Sequence, residues 1–278
     1  MEKKLFSLEL PEMSVHRTIT TGEGSNVSLA LHNHPVYEIF ILCSDKASFF
    51  VEGTIYHMSK WDVMIFNNTE LHNVSFDNSN AYDRIIIHFK PEAVLPFDSE
   101  KYNLLRAFTA RKGGKCNYLS KSQLEKTDFY QAVQKMEEAI INQTDYVEIY
   151  CHTLFVQLLI AINKASTLSS DIAYPRLGNE KIRNIISYIN THLTEDLSLD
   201  ALSEQFYMSK YNMCHLFKDT TGFSVKQYVT YRRVAMAQKF MASGKSTLDA
   251  CIAAGFNDYS NFYKTFKKIL GKPPKEFK

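Results

Sequence analysis

The sequence predicts two domains. The first is an N-terminal all-β barrel followed by a helical hairpin, and the second is a C-terminal all-α domain with two helix-turn-helix motifs. Three observations carry this. The 278 residues correspond to about two domains at roughly 150 residues each. Apolar residues come in short β-type runs over residues 27–90 and at helical spacing from residue 179 onward. Charge divides in the same way: residues 1–170 carry 16 Lys+Arg against 20 Asp+Glu, a net of −4, and residues 171–278 carry 16 against 10, a net of +6.

The β reading rests on Val36–Cys43 (VYEIFILC), Ala47–Val51, Thr54–Met58, Asp62–Phe66 and Arg84–Lys90 (RIIIHFK). Polar turn clusters separate them, at Glu52-Gly53-Thr54, Asn67-Asn68-Thr69 and Asp77–Asn80. Many short strands at this spacing predict a sandwich or barrel. After Pro96 the spacing turns helical, over Asp128–Ile141 and Tyr146–Asn163, which suits a helical hairpin. Ser166–Gly178 is rich in Ser and holds Pro175, the composition of a linker. The expected division is therefore 1–165, a linker over 166–178, and 179–278.

In the last part Ile182, Ile185, Ile186, Ile189 and Leu193 follow the i, i+3, i+4, i+7 rule. A short helix, a tight turn and a second helix then occur twice. The first copy is Leu199–Phe206 and Ser209–Thr221; the second is Leu248–Ala254 and Asp258–Leu270. Ser209 and Asp258 are the expected N-caps, and Gly222 and Gly255 the expected stops. The helix Ser224–Met241 lies between the copies. Its length, about 27 Å at 1.5 Å per residue, suits a strut holding two recognition helices roughly 34 Å apart, one turn of duplex DNA. The plain alternative is an all-α bundle whose helix pairs only pack on one another.

Composition narrows the function classes. A chain 45% hydrophobic and 22% charged is globular, and 10 Gly and 7 Pro exclude collagen-like or linker-dominated chains. The five cysteines, Cys43, Cys116, Cys151, Cys214 and Cys251, are odd in number and form no CxxC. Neither a disulfide framework nor a cysteine zinc site is expected, and a reducing cytoplasm fits. The most apolar stretch, Leu154–Ile162, is too short for a membrane span and contains Gln157. The N-terminal MEKKLFSLELPEMS lacks a signal-peptide core. A cytoplasmic location with no membrane partner is expected.

The order of residues in the basic part resembles the DNA-binding domain of AraC/XylS-type bacterial transcription regulators. The stretches that carry the resemblance are HLTEDLSLDALSEQF, MSKYNMCHLFKDTTGFSVKQYVTYRRVAMAQKF and AAGFNDYSNFYKTFKKILGKPPKEF. It implies groove-facing positions at Lys210, Tyr211, Asn212, Cys214 and His215 in the first motif. In the second they fall on Asp258, Tyr259, Ser260, Asn261, Tyr263 and Lys264. Met213, Leu216, Phe217, Phe262 and Phe266 are expected in the core, and Arg233 and Ala237 are expected to be structural. Cys214-His215 depart from the family pattern, as do Thr247, Ala250 and Cys251. His215 lacks the bidentate fork that arginine offers guanine, so the departures bear on which operator is read.

In the first part LHNHPVYEIF and NNTELHNV resemble the two motifs of the cupin barrel, a fold frequent in AraC-type regulators. The resemblance implies that His32, His34, Glu38 and His72 converge inside a cupin-like barrel; in cupin enzymes these positions hold a metal. Glycines expected in both motifs are replaced, by Ser44-Asp45 and by Trp61. Three readings stand side by side: a transition-metal site, a metal-free effector pocket lined by these residues, or hydrogen bonding within the barrel. Tyr37 alternates with Glu38 and is expected on the opposite face.

The leading expectation is a sequence-specific regulator, an activator by resemblance and not an enzyme. It requires no cofactor and is controlled by a small-molecule effector at His32, His34, Glu38 and His72. Its partners are double-stranded DNA, RNA polymerase and a second copy of the chain. The alternatives are a metal-dependent cupin enzyme and a DNA-binding protein whose cupin-like domain only dimerises. Dimerisation is expected at the hairpin Asp128–Asn163, where charges at Leu158 and Ile162 should give folded monomers.

Overall fold

The computed structural model describes residues 2–22, 27–28, 32, 34–52, 54–76, 81–99, 101–111, 114–167, 180–270 and 272–276. Ten strands come first: β1 (Glu2–Glu9), β2 (Met13–Thr20), β3 (Val27–Ser28), β4 (Tyr37–Leu42), β5 (Lys46–Val51), β6 (Thr54–Ser59), β7 (Val63–Phe66), β8 (His72–Phe76), β9 (Tyr82–Phe89) and β10 (Tyr118–Leu119). They form two antiparallel sheets, ordered β1-β2-β9-β4-β7-β10 and β3-β8-β5-β6. The sheet-rich N-terminal domain is as expected, but it is two facing sheets and not a closed barrel. The antiparallel bridge between His32 and His72 falls in line with the β3–β8 pairing of the smaller sheet.

Phe40, Leu42, Met64 and Phe66 of the larger sheet meet Phe49, Val51, Met58 and Val74 of the smaller. The opposite face of the larger sheet carries Ile39, Ile41, Val63, Ile65, Ile85 and Ile87. That face is covered by helices, after the short α1 (Arg106–Thr109) and α2 (Lys121–Leu124), from α3 (Phe129–Ile141) and α4 (Val147–Thr167). Coverage on both faces explains why β4 reads YEIFIL without alternation: all six residues are buried. Tyr37 lies on the helix side, opposite Glu38, as expected. Trp61 adopts φ 71°, the conformation that favours glycine at this point of the motif.

The expected hairpin is present, but its faces differ from expectation. Leu158 and Ile162 are fully buried against the sheet. Tyr146, Ile149 and Ile160 are exposed instead. Of the expected linker, Ser166 and Thr167 continue α4, and residues 168–178 lie outside the described residues.

The C-terminal domain comprises α5 (Glu180–Thr191), α6 (Leu199–Gln205), α7 (Lys210–Thr221), α8 (Val225–Ala242), α9 (Thr247–Ala253) and α10 (Tyr259–Leu270). Ser198, Ser209, Ser224 and Ser246 cap α6, α7, α8 and α9, each accepting from the amide three residues on. Gly222 closes α7 at φ 80°. Gly255 turns α9 into α10 at φ 83°, and a Cβ there would stand 2.5 Å from the Leu193 carbonyl oxygen. Gly255→Ala should therefore lower stability by about 1–3 kcal/mol, read as a lower midpoint in urea; an unchanged midpoint would contradict the close approach.

The two domains touch. Phe50 of β5 packs on Phe223 and Tyr228, with ring centroids 6.2 and 6.0 Å apart. Beside it the half-buried Glu52 accepts from the Leu71 amide at 2.9 Å and pairs with Arg232 of α8. Burial raises the Glu52 carboxyl above its ordinary range, against the pull of Arg232.

Candidate functional site

Two constellations emerge. The first is centred on Glu38. The register of β4 and β9 sets Glu38 opposite His88, both on the side away from Ile39 and Ile87. The Glu38 Oε2 atom accepts from His34 Nε2 at 2.6 Å and from His88 Nε2 at 3.1 Å. His72 Nε2 stands 3.8 Å from the same oxygen, buried and without a hydrogen-bond partner among the described residues. Two rings are fixed from behind by backbone carbonyls. His34 Nδ1 donates to Val36 O at 2.7 Å and His72 Nδ1 to Glu70 O at 3.0 Å. The His72 ring also stacks on Phe66, centroids 4.0 Å apart.

The charges follow from these contacts. Burial alone would raise the Glu38 carboxyl, but the bonds from His34 and His88 hold it well below its ordinary range. Burial would lower His34, yet its bond to Glu38 raises it. His72 is pushed down to about 3 by burial, so it is neutral with its proton on Nδ1. His16, 5.8 Å from His88 between ring centroids, is lowered by burial and by His88. A cavity of about 510 Å³, lined by Glu2, Lys4, Glu9, Ser14, His16, Thr18 and His88, opens beside His88.

Of the four expected residues, His34, Glu38 and His72 converge on one carboxylate oxygen. His32 stands beside His72, ring centroids 4.6 Å apart. His88 enters the cluster although nothing in the two motifs points to it. Alternation along RIIIHFK, placing Arg84, Ile86 and His88 on one face, is the signal that was available.

The second constellation is the pair of helix-turn-helix units, α6–α7 and α9–α10. Met213 and Phe217 are buried in one and Phe262 and Phe266 in the other, with Leu216 partly buried, as expected. Arg233 donates from Nε to Leu193 O at 2.8 Å and from Nη2 to Glu195 O at 2.9 Å, and Ala237 is buried. Both are structural. On the outward faces Lys210, Tyr211, Asn212, His215, Asp258, Tyr259, Ser260, Asn261 and Lys264 are exposed, and Cys214 and Tyr263 are half-buried. Lys210 pairs with Asp200 of α6, and His215 with Asp219 at 2.7 Å. The Asp258 carboxylate accepts from the Asn261 amide and so caps α10.

Residues 202–278, which run from within α6 to beyond α10, match the helix-turn-helix domain family. The chain is 23% identical over 254 residues to the transcriptional activator RhaS of Escherichia fergusonii, covering 89% of this chain and 86% of that protein. It is 32% identical over 98 residues to the multiple antibiotic resistance protein MarA of Escherichia coli, covering 35% of this chain and 77% of MarA. The crystal structure of ToxT from Vibrio cholerae aligns over 96% of this chain and 96% of that one. Its 10% identity and TM-score of 0.38 are too low to carry an argument. The family match falls on the paired helix-turn-helix region whose outward faces are described above, and together with the MarA identity it shows that the chain belongs to the AraC/XylS family of DNA-binding transcription regulators.

Proposed function

We propose that the protein activates transcription as a homodimer, each subunit laying α7 and α10 into successive major-groove segments, under control of a ligand bound beside Glu38. The observation that carries the DNA part is the paired, outward-facing helices separated by α8, in the C-terminal residues 171–278 with net charge +6. RhaS being an activator supports the sign of regulation. The exposed apolar face of α4, with Ile149 and Ile160 and the preceding Tyr146, supports self-association. RNA polymerase is the partner an activator requires, and no catalytic step is assigned to the chain.

The test is a gel shift of the full chain on its own promoter region across a salt series. Retention is expected at low salt, falling steeply as salt rises because phosphate contacts release counterions. A protein that leaves the promoter unshifted at low salt overturns the reading.

The contact between domains offers a route for control. Glu70, Leu71 and His72 are consecutive; His72 borders the cluster, and Leu71 is held by Glu52, the partner of Arg232. Arg232→Ala should leave the promoter affinity of the ligand-free protein within about threefold, a change of under 1 kcal/mol, and should loosen the docking of the domains. Faster protease cleavage within 168–178 would report that loosening; wild-type cleavage rates would contradict it.

A further inference from the structure

We infer that His215 reads the amino group of a cytosine in the major groove, and that Asp219 sets this choice by holding the imidazole in one tautomer. The inference rests on the DNA-binding reading above, with α7 in the groove, and adds which base its second turn selects.

The observations lie on one face of α7. Tyr211, His215 and Asp219 are spaced four apart and form a row along the exposed side of the helix. Side chains on a helix lean toward its N-terminus, so Asp219 reaches back to His215. Its Oδ2 stands 2.7 Å from His215 Nδ1. On the other side lies the Tyr211 ring, its centroid 6.2 Å from that of the imidazole. The imidazole is therefore flanked along the helix, and its orientation is set from the Nδ1 edge.

That contact decides the chemistry of the other nitrogen. A carboxylate only accepts, so the proton of a neutral imidazole sits on Nδ1. Nε2 then carries a lone pair and is an acceptor. Guanine and thymine present acceptors to the major groove, which repel it. Adenine sets its N6 donor beside the N7 acceptor. Cytosine offers the N4 donor with no acceptor next to it on the same base, and it is the base that carboxylate side chains, themselves acceptors, select. An arginine at this position would do the reverse and donate its fork to guanine. The neighbouring Cys214 is half-buried and has only a weak thiol donor.

The placement of Asp219 supports a role through the imidazole. On a helix that meets a polyanion a carboxylate weakens binding to every sequence. Asp219 also borders a crevice shared with Lys46, Ser48 and His57 of the smaller sheet, but its ion pair is with His215. Both side chains are exposed, so water competes for the pair in the free protein. A groove that excludes water strengthens it.

The experiment is binding-site selection with the full-length protein at pH 8, above the range in which an imidazole charges. Gel-shift titrations follow, on the selected duplex and on duplexes changed at single base pairs. Wild type is expected to select one cytosine–guanine pair through His215, and exchanging its two bases should weaken binding about three- to tenfold. His215→Arg should select that same pair inverted, because the fork reads guanine on the strand where the imidazole reads cytosine. Asp219→Ala should cut discrimination at this pair to below about twofold and keep it at every other, while affinity for unrelated DNA holds or rises. Asp219→Glu should restore the discrimination. An aspartate that served only the fold would instead alter the thermal melt or all positions together.

A His215→Ala protein that keeps the preference at this pair overturns the inference, because Asp219 or another residue would then be the reader. Asp219→Ala with wild-type discrimination overturns it too, as does His215→Arg selecting the wild-type pair. In each of these cases the protein still binds DNA, and the regulator reading stands. Wild-type protein that retains no DNA through the selection sinks the regulator reading, and this inference with it.

Discussion

Aspartate at Leu158 or Ile162 should leave the protein unfolded, whereas aspartate at Ile149 should keep the fold and halve the particle mass of the proposed dimer. Leu158 and Ile162 have no exposed surface and sit in the core between α4 and the six-stranded sheet. Truncating such a side chain costs about 2–5 kcal/mol. A carboxylate in its place adds the cost of an unpaired buried charge. The total approaches the whole stability of a domain, about 5–15 kcal/mol, so the loss reads as absence of a cooperative melt. Ile149 is 66% exposed, one turn and more before that buried pair and on the other face of α4. Aspartate there buries nothing, and it would keep a second copy from covering the patch in the proposed dimer. Thermal melts and light scattering on the three variants check both halves. A folded Leu158→Asp protein would overturn the packing, and an Ile149→Asp protein of unchanged mass would move the dimer interface elsewhere.

The contrast between the two faces of α4 shows what was legible in the sequence. Helix ends were readable because caps are local chemistry: Ser209 and Gly222 bound α7 as their residue types require. The sequence VEIYCHTLFVQLLIAINK in α4 is apolar on more than one side, so its period marks a helix without saying which side meets the sheet. β1 leaves little trace in the sequence, because this edge strand is mostly exposed and carries Lys3 and Lys4 where an apolar row would betray it. His34, Glu38 and His72 lie in recognisable motifs, but His88 joins them only through the pairing of β4 with β9, a register between residues 50 apart. The Glu52–Arg232 pair joins residues 180 apart across two domains, and no local pattern encodes it.

On DNA, the asparagines and lysines of the recognition helices should separate into two kinds of loss. Asn212 and Asn261 lie in the first turns of α7 and α10, the part of a recognition helix that reaches base edges. Both are exposed. The backbone amide of each is already held by its cap, Ser209 or Asp258, and the side-chain amides face outward; Asn261 Oδ1 accepts a long bond from Thr265 Oγ1 at 3.4 Å, which pairing with adenine N6 and N7 would have to displace. Asn212→Ala and Asn261→Ala should each cost about 1–3 kcal/mol on the preferred site and relax selection at the base they read. Lys264 has no carboxylate partner within ion-pair distance among the described residues. Lys264→Ala should weaken binding to every sequence alike and flatten the salt slope by about one. Lys210 differs, because Asp200 already neutralises it in the free protein. Contact with a phosphate must displace that carboxylate, so Lys210→Ala should flatten the slope by less than Lys264→Ala. Site selection and salt titration on the four variants give the readout. Asparagine variants that select the wild-type sites with undiminished stringency would remove base reading from these positions. Equal slopes for the two lysine variants would show that the Asp200 pair does not persist in solution.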